Sequence, residues 1–123
     1  MIDKEAVMCE VLSLVLRANG GIEYRNGKGH PTGFFDYSGH VNTIYVSIFP
    51  DGWVSTYDEP DRPEPDRFKF DFRNDEDWEN LEELERLRKY VDALEEKERK
   101  NEFALSAYRS LSGIIKHGAR SGH

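Results

Sequence analysis

Phe49-Pro50-Asp51-Gly52, set between two runs rich in strand-forming residues, constrains the fold of this chain more than any other feature. Pro50 presets φ for the first central position of a tight turn, Asp51 suits the second, and Gly52 tolerates the left-handed conformation that follows. The pattern predicts a hairpin over Val41–Tyr57 with Phe49 opposite Trp53, Ser47 opposite Ser55 and Tyr45 opposite Tyr57. One face then carries rings and hydroxyls, and the other carries Ile44, Val46, Ile48 and Val54. A hairpin apolar on both faces must be covered on both, or must bind something through one of them.

The segment Arg67–Arg73 alternates strictly, with Phe68, Phe70 and Phe72 facing one way and Arg67, Lys69, Asp71 and Arg73 the other. That is a strand dry on one side and wet on the other, and the aliphatic side of the hairpin matches its dry face. The aromatic side is therefore the face left available. Ile22–Arg25 and Phe34–Tyr37 read as further short strands around a glycine-rich loop at 26–33, and Ser38-Gly39-His40 as a turn. Three prolines in Asp58–Asp66 rule out a central strand and make this an exposed, extended, acidic connection.

The helical patterns lie at the two ends. Asp3 is placed as an N-cap, with Ile2 and Val7 spaced as a hydrophobic staple. Val7, Val11, Leu14 and Val15 form one stripe, which Met8, Leu12 and Leu16 widen, so the first helix is expected to be covered on more than one side. Cys9 lies within this pattern and is expected to behave as a small buried hydrophobe. Asn19-Gly20-Gly21 ends the helix. Asn74 or Asp75 is placed to cap a second helix carrying Trp78, Leu81, Leu84, Leu87, Val91 and Leu94, and Phe103, Ala107, Leu111, Ile114 and Ile115 continue a helical pattern beyond the charged run Lys97–Lys100. The fold class is α+β: an N-terminal helix, an antiparallel meander of four or five short strands, and two C-terminal helices or one bent helix, in a single domain of 123 residues.

Charge is distributed unevenly. Residues 58–85 hold 13 carboxylates against Arg62, Arg67, Lys69 and Arg73, a net −9, whereas the remainder of the chain is +2. Such a surface repels nucleic acid and attracts basic partners. The single cysteine cannot form an internal disulfide, no secretory leader pattern opens the chain, and no apolar run approaches the length of a membrane span, so a cytoplasmic setting with no membrane partner is expected.

Catalytic signatures are weak. Lys28 in the glycine-rich loop is followed by glycine and a strand, not by the helix a phosphate loop requires. His30, Asp36 and His40 offer imidazole and carboxylate without metal-ligand spacing, and neither Cys9 nor Ser38 with His40 has the setting of an activated nucleophile. No metal, cofactor or catalytic residue is assigned. Two function classes stay open. The first is a small acidic binding protein that docks on, and inhibits or modulates, a basic protein of the nucleic-acid-handling kind such as a nuclease. Its spaced carboxylates would imitate phosphates. In size and charge it is analogous to immunity proteins and phage-borne nuclease inhibitors, without touching nucleic acid itself. Its expected contact residues are Tyr45, Phe49, Trp53 and Tyr57 with Asp58, Glu59, Asp61 and Glu64, and Asp75, Glu76, Asp77, Glu79, Glu82 and Glu83. The second is a small enzyme or ligand-binding domain built on the 26–33 loop with His30, Asp36 and His40. A homodimer through the heptad-like seam Leu84, Leu87, Val91 and Leu94 is a further expectation.

Overall fold

Asp3 caps the first helix, α1 (Lys4–Ala18), its carboxylate accepting from the Ala6 N–H at 3.1 Å. Val7 on the following turn is buried, and Ile2 packs against the same core, as a staple requires. Gly20 at φ +83° carries the chain out of the helix. A computed structural model describes residues 2–21, 29–55, 57–73 and 77–119, with side chains of the last segment described to residue 111. The elements after α1 are β1 (Thr32–Ser38), β2 (Thr43–Phe49), β3 (Asp66–Asp71) and α2 (Asp77–Ala119).

The three strands form one antiparallel sheet in the order β1-β2-β3. Ile44, Val46 and Ile48 of β2 and Phe68 and Phe70 of β3 all point to one side, where Val11, Leu14 and Val15 of α1 and Leu84, Leu87 and Val91 of α2 close over them. The protein is thus α+β in two layers, with both helices on one face of the sheet. Gly33 lets α1 approach β1: a Cβ there would lie 3.1 Å from Val15 Cγ1 and 3.5 Å from Ile48 Cγ1.

Several expectations are corrected. The turn at Phe49–Gly52 forms, with the Gly52 N–H donating to the Phe49 carbonyl at 3.1 Å and Gly52 at φ +100°, but no returning strand follows it. Trp53–Ser55 lie outside any strand, and β3 takes the place beside β2. Tyr45 consequently stands between Asp36 and Lys69, and Ser47 between Phe34 and Arg67. The reason is apolar content. The 53–57 arm would bring only Val54 of the aliphatic type to the dry face, while β3 brings a phenylalanine at every second position. The described residues therefore contain three strands, not four or five; the expected strand at 22–25 lies outside them, as does the expected cap at 74 or 75.

At the C-terminal end there is one continuous helix of 43 residues rather than two. The charged run 97–100 does not interrupt it because Lys, Glu and Arg favour helix, and Glu96 pairs with both Arg99 (2.8 Å) and Lys100 (3.9 Å) on the next turn. Leu84, Leu87 and Val91 are each 2% exposed or less, so the heptad-like seam is filled by the chain's own sheet and by α1, and a dimer through it would require the core to open. In α1, Leu12 and Cys9 are exposed: the helix is covered on one side, and Cys9 lies on its wet side.

Both edges of the sheet are closed by asparagines. Asn19, the C-cap of α1, accepts from the Gly33 N–H at 2.7 Å and donates to the Gly33 carbonyl at 3.1 Å. On the opposite edge Asn80 of α2 does the same for Asp71, at 3.2 and 2.9 Å. Glu83 and Arg86, each three residues further along the helix, continue the seal by accepting from the Lys69 N–H (3.2 Å) and donating to the Arg67 carbonyl (2.8 Å).

Candidate docking face on the sheet

Helices cover only one side of the sheet, so alternation leaves the other side to Phe34 and Asp36 of β1, Tyr45, Ser47 and Phe49 of β2, and Arg67 and Lys69 of β3. The connection after the tight turn folds back along one end of this face. It carries Trp53, whose ring meets Phe34 edge-on at 6.3 Å; Phe34 in turn meets Phe49 edge-on at 5.9 Å. Arg62 holds the connection in place. Its guanidinium lies 5.2 Å from the Phe49 ring and 5.7 Å from the Trp53 ring and donates to the Val54 carbonyl.

The result is an open groove of about 380 Å³ whose floor is Phe34, Tyr45, Ser47 and Phe49 and whose rim is Trp53, Arg62 and Glu64. Phe49 is covered, at 8% exposure, while Phe34, Tyr45 and Trp53 remain 42–45% exposed. Lys69 stands 5.7 Å from the Tyr45 ring and forms the opposite border. A smaller pocket of about 200 Å³ lies between the 49–52 turn and Glu59, Arg62 and Pro63.

The expected contact residues divide into groups. Tyr45, Phe49 and Trp53 are brought together. Tyr57 is 93% exposed in the connecting loop and has left the cluster, because no strand places it opposite Tyr45. Asp58, Glu59 and Asp61 are exposed and make no ion pair among the described residues; Glu64 pairs with Arg67 at 2.9 Å at the groove's rim. On α2, Glu79 and Glu82 are exposed and unpaired among the described residues, whereas Asp77 and Glu83 are engaged within the chain. Asp77 Oδ2 accepts from the Ile2 N–H at 3.2 Å, and Glu83 takes both Arg86 and the Lys69 N–H. Asp75 and Glu76 lie outside the described residues.

These local pairs set the carboxylates' charge. The Arg73 guanidinium and backbone N–H, both donating to Asp71, lower its pKa to about 2. Arg86 holds Glu83 below the usual carboxylate range, with the Lys69 N–H adding to the effect. On the opposite side of the sheet, burial pushes the Tyr90 phenol up and its hydrogen bond to Asp66 at 2.5 Å pushes it further. All three stay in one charge state at neutral pH.

Sequence reasoning placed Lys69 at the border of this face, where it stands beside Tyr45, but missed Phe34 and Arg62 as parts of it. Phe34 was readable as a strand residue, but its facing depends on the β1–β2 register. Arg62 gave no signal, since a lone arginine among prolines and carboxylates reads as a solvated loop residue. His30 and His40 are exposed at the two ends of β1, and Asp36 lies on the groove side opposite Tyr45. Among the described residues no three His, Cys, Asp or Glu side chains are placed to hold a metal ion, and most of the 26–33 loop lies outside those residues. No helix among the described residues is long and apolar enough to cross a membrane. No protein-family model, no curated protein and no solved structure matches the chain.

Proposed function

We propose that the protein is a small binding module that docks on a basic protein through the outer face of its sheet. The observation that carries this reading is the aromatic groove: Phe34, Tyr45 and Trp53 lie together on a sheet face that no described element covers, each over two-fifths exposed. Phe34 and Trp53, fixed by edge contacts and by Arg62, and Tyr45, flanked by Lys69, lose little freedom on binding, and rings of this size form the buried anchors of protein interfaces. The acid belongs to the surroundings of the groove more than to its floor. Asp58, Glu59 and Asp61 lie five to eight residues after Trp53 in the same connection, and Glu79 and Glu82 lie beyond the β3 edge. This arrangement supports a partner whose apolar centre is ringed by lysine and arginine, such as the cleft of a nucleic-acid-handling protein, with inhibition following from occupancy of that cleft.

The test is affinity capture from the native host's lysate with three immobilised proteins. These are the wild type, a Phe34→Ser/Trp53→Ser variant, and an Asp58→Lys/Glu59→Lys/Asp61→Lys variant. All substituted side chains are exposed, so folding is preserved. The reading expects one basic protein retained by the wild type, eluted by about 0.5 M salt, and lost from both variants. Retention that is the same for all three proteins refutes it.

A further inference from the structure

The outward side of α2 presents a second surface, independent of the sheet. Trp78, Glu82, Lys89, Lys100, Phe103 and Leu111 recur at helical spacing on the side away from Leu84, Leu87 and Val91, and each is exposed. Leu94 is the last α2 residue packed against the core, and every residue from 101 to 111, about 16 Å of helix, is exposed. In that projection Phe103 is 78% and Leu111 61% exposed, with Ala107 between them on the same stripe. An unsupported helical segment of this length is marginal in water, and its apolar stripe calls for cover. At the other end of the same face Trp78 is 58% and the adjoining Leu81 44% exposed.

We propose that α2 pairs antiparallel with α2 of a second copy of this chain, the Phe103–Leu111 stripe of each covering Trp78 and Leu81 of the other. Charge selects both the partner and the direction. Residues 77–88 carry five carboxylates against Arg86 and Arg88, a net −3, while residues 97–111 carry four cations against Glu98 and Glu102, a net +2. Antiparallel pairing lays each acidic end on a basic end and also opposes the two helix dipoles. A parallel pair would bring Phe103 onto Phe103 equally well, but would set acid on acid and base on base. Two such ends per helix give two copies of the same contact, related by a twofold axis near the middle of α2. The sheet faces point away from this axis, so the dimer offers two grooves.

Analytical ultracentrifugation of the full chain at low salt and at about 0.5 M salt tests the association. The wild type is expected to sediment as a dimer that weakens with salt. Phe103→Asp/Leu111→Asp should raise the dissociation constant at least about 100-fold while leaving the thermal transition of the globular part in place, since both side chains are exposed. Direction is read by cross-linking in a Cys9→Ser background. A Glu82→Cys chain mixed with an Ala107→Cys chain should join to each other through a short bismaleimide, and neither should join to itself. A wild type that is monomeric at both salt concentrations overturns the proposal; so does a dimer indifferent to the two aspartates, or a pattern of like-with-like cross-links.

Discussion

Asn80 and Asp71 exchange two hydrogen bonds, the side-chain amide of one serving the backbone N–H and C=O of the other as a neighbouring strand would. Asn80 is only 4% exposed, one of two buried polar residues among those described, and it closes β3 against α2. Replacing it with Leu leaves the two strand groups facing a helix that cannot serve them. We expect Asn80→Leu to cost about 2 kcal/mol, read as a lower urea midpoint at unchanged slope. Asn19→Leu, at the half-buried opposite edge, should cost less; a loss below about 0.5 kcal/mol for Asn80 would show that water replaces the amide without penalty.

Leu12 and Leu14 lie two residues apart in α1, yet Leu12 is 42% exposed and Leu14 is 2% exposed. Leu14→Ala should destabilise by about 3 kcal/mol, because it opens a cavity against the sheet. Leu12→Ala should stay within about 0.5–1 kcal/mol of the wild type. Comparable losses at the two sites would mean that α1 is covered on both sides.

Asp71 has a pKa lowered to about 2 by Arg73, against an ordinary value of 3.8. A depressed carboxylate stabilises the fold above its unfolded pKa and loses that contribution as pH falls toward the folded value. The loss therefore runs from about pH 3.8 down to about pH 2, where the carboxylate finally protonates. Arg73→Ala should raise the Asp71 pKa toward its ordinary value in a carbon-detected NMR titration and make the native protein less stable at neutral pH than at present. An Asp71 titration unchanged by Arg73→Ala would show that the pair does not persist in solution.

Arg62 touches Phe49, Trp53 and the Val54 carbonyl at once. Its removal should free the 53–65 connection while sparing the core. In a Trp78→Phe background, where Trp53 is the only indole, Arg62→Ala should red-shift the emission and speed proteolytic nicking of this connection by about tenfold, with the thermal midpoint nearly unchanged. Unaltered emission would remove Arg62 as the fastening of the groove.

Much of this was legible beforehand, for identifiable reasons. The Phe68/Phe70/Phe72 alternation and the Ile44/Val46/Ile48 alternation assign faces whatever the strand order, so the wet aromatic side could be inferred from periodicity alone. The Asp3 cap and the Phe49–Gly52 turn are local chemistry and formed where expected. Pairing was not legible, because a turn specifies how the chain reverses and not which segment lies beside β2; β3 won through its greater apolar burial. The continuous α2 was hidden by the charged run 97–100, which reads as a break until the ion pairs of Glu96 are seen. The parts of the groove that come from register and tertiary approach, Phe34 and Arg62, had no signature of their own. Asn19 was legible as the end of α1, but its bonds to Gly33, and those of Asn80 to Asp71, were not, because the partners are backbone groups 14 and 9 residues away.

The two tryptophans make the central claim directly measurable, since Trp53 lines the groove and Trp78 lies on α2. The indole N–H resonances of the isotope-labelled protein, assigned with Trp53→Phe, are followed while the basic partner obtained by capture is added at low salt. A docking face on the outer sheet predicts that the Trp53 indole shifts or broadens on binding and that the Trp78 indole does not. A Trp53 resonance that stays fixed while the complex forms would contradict it.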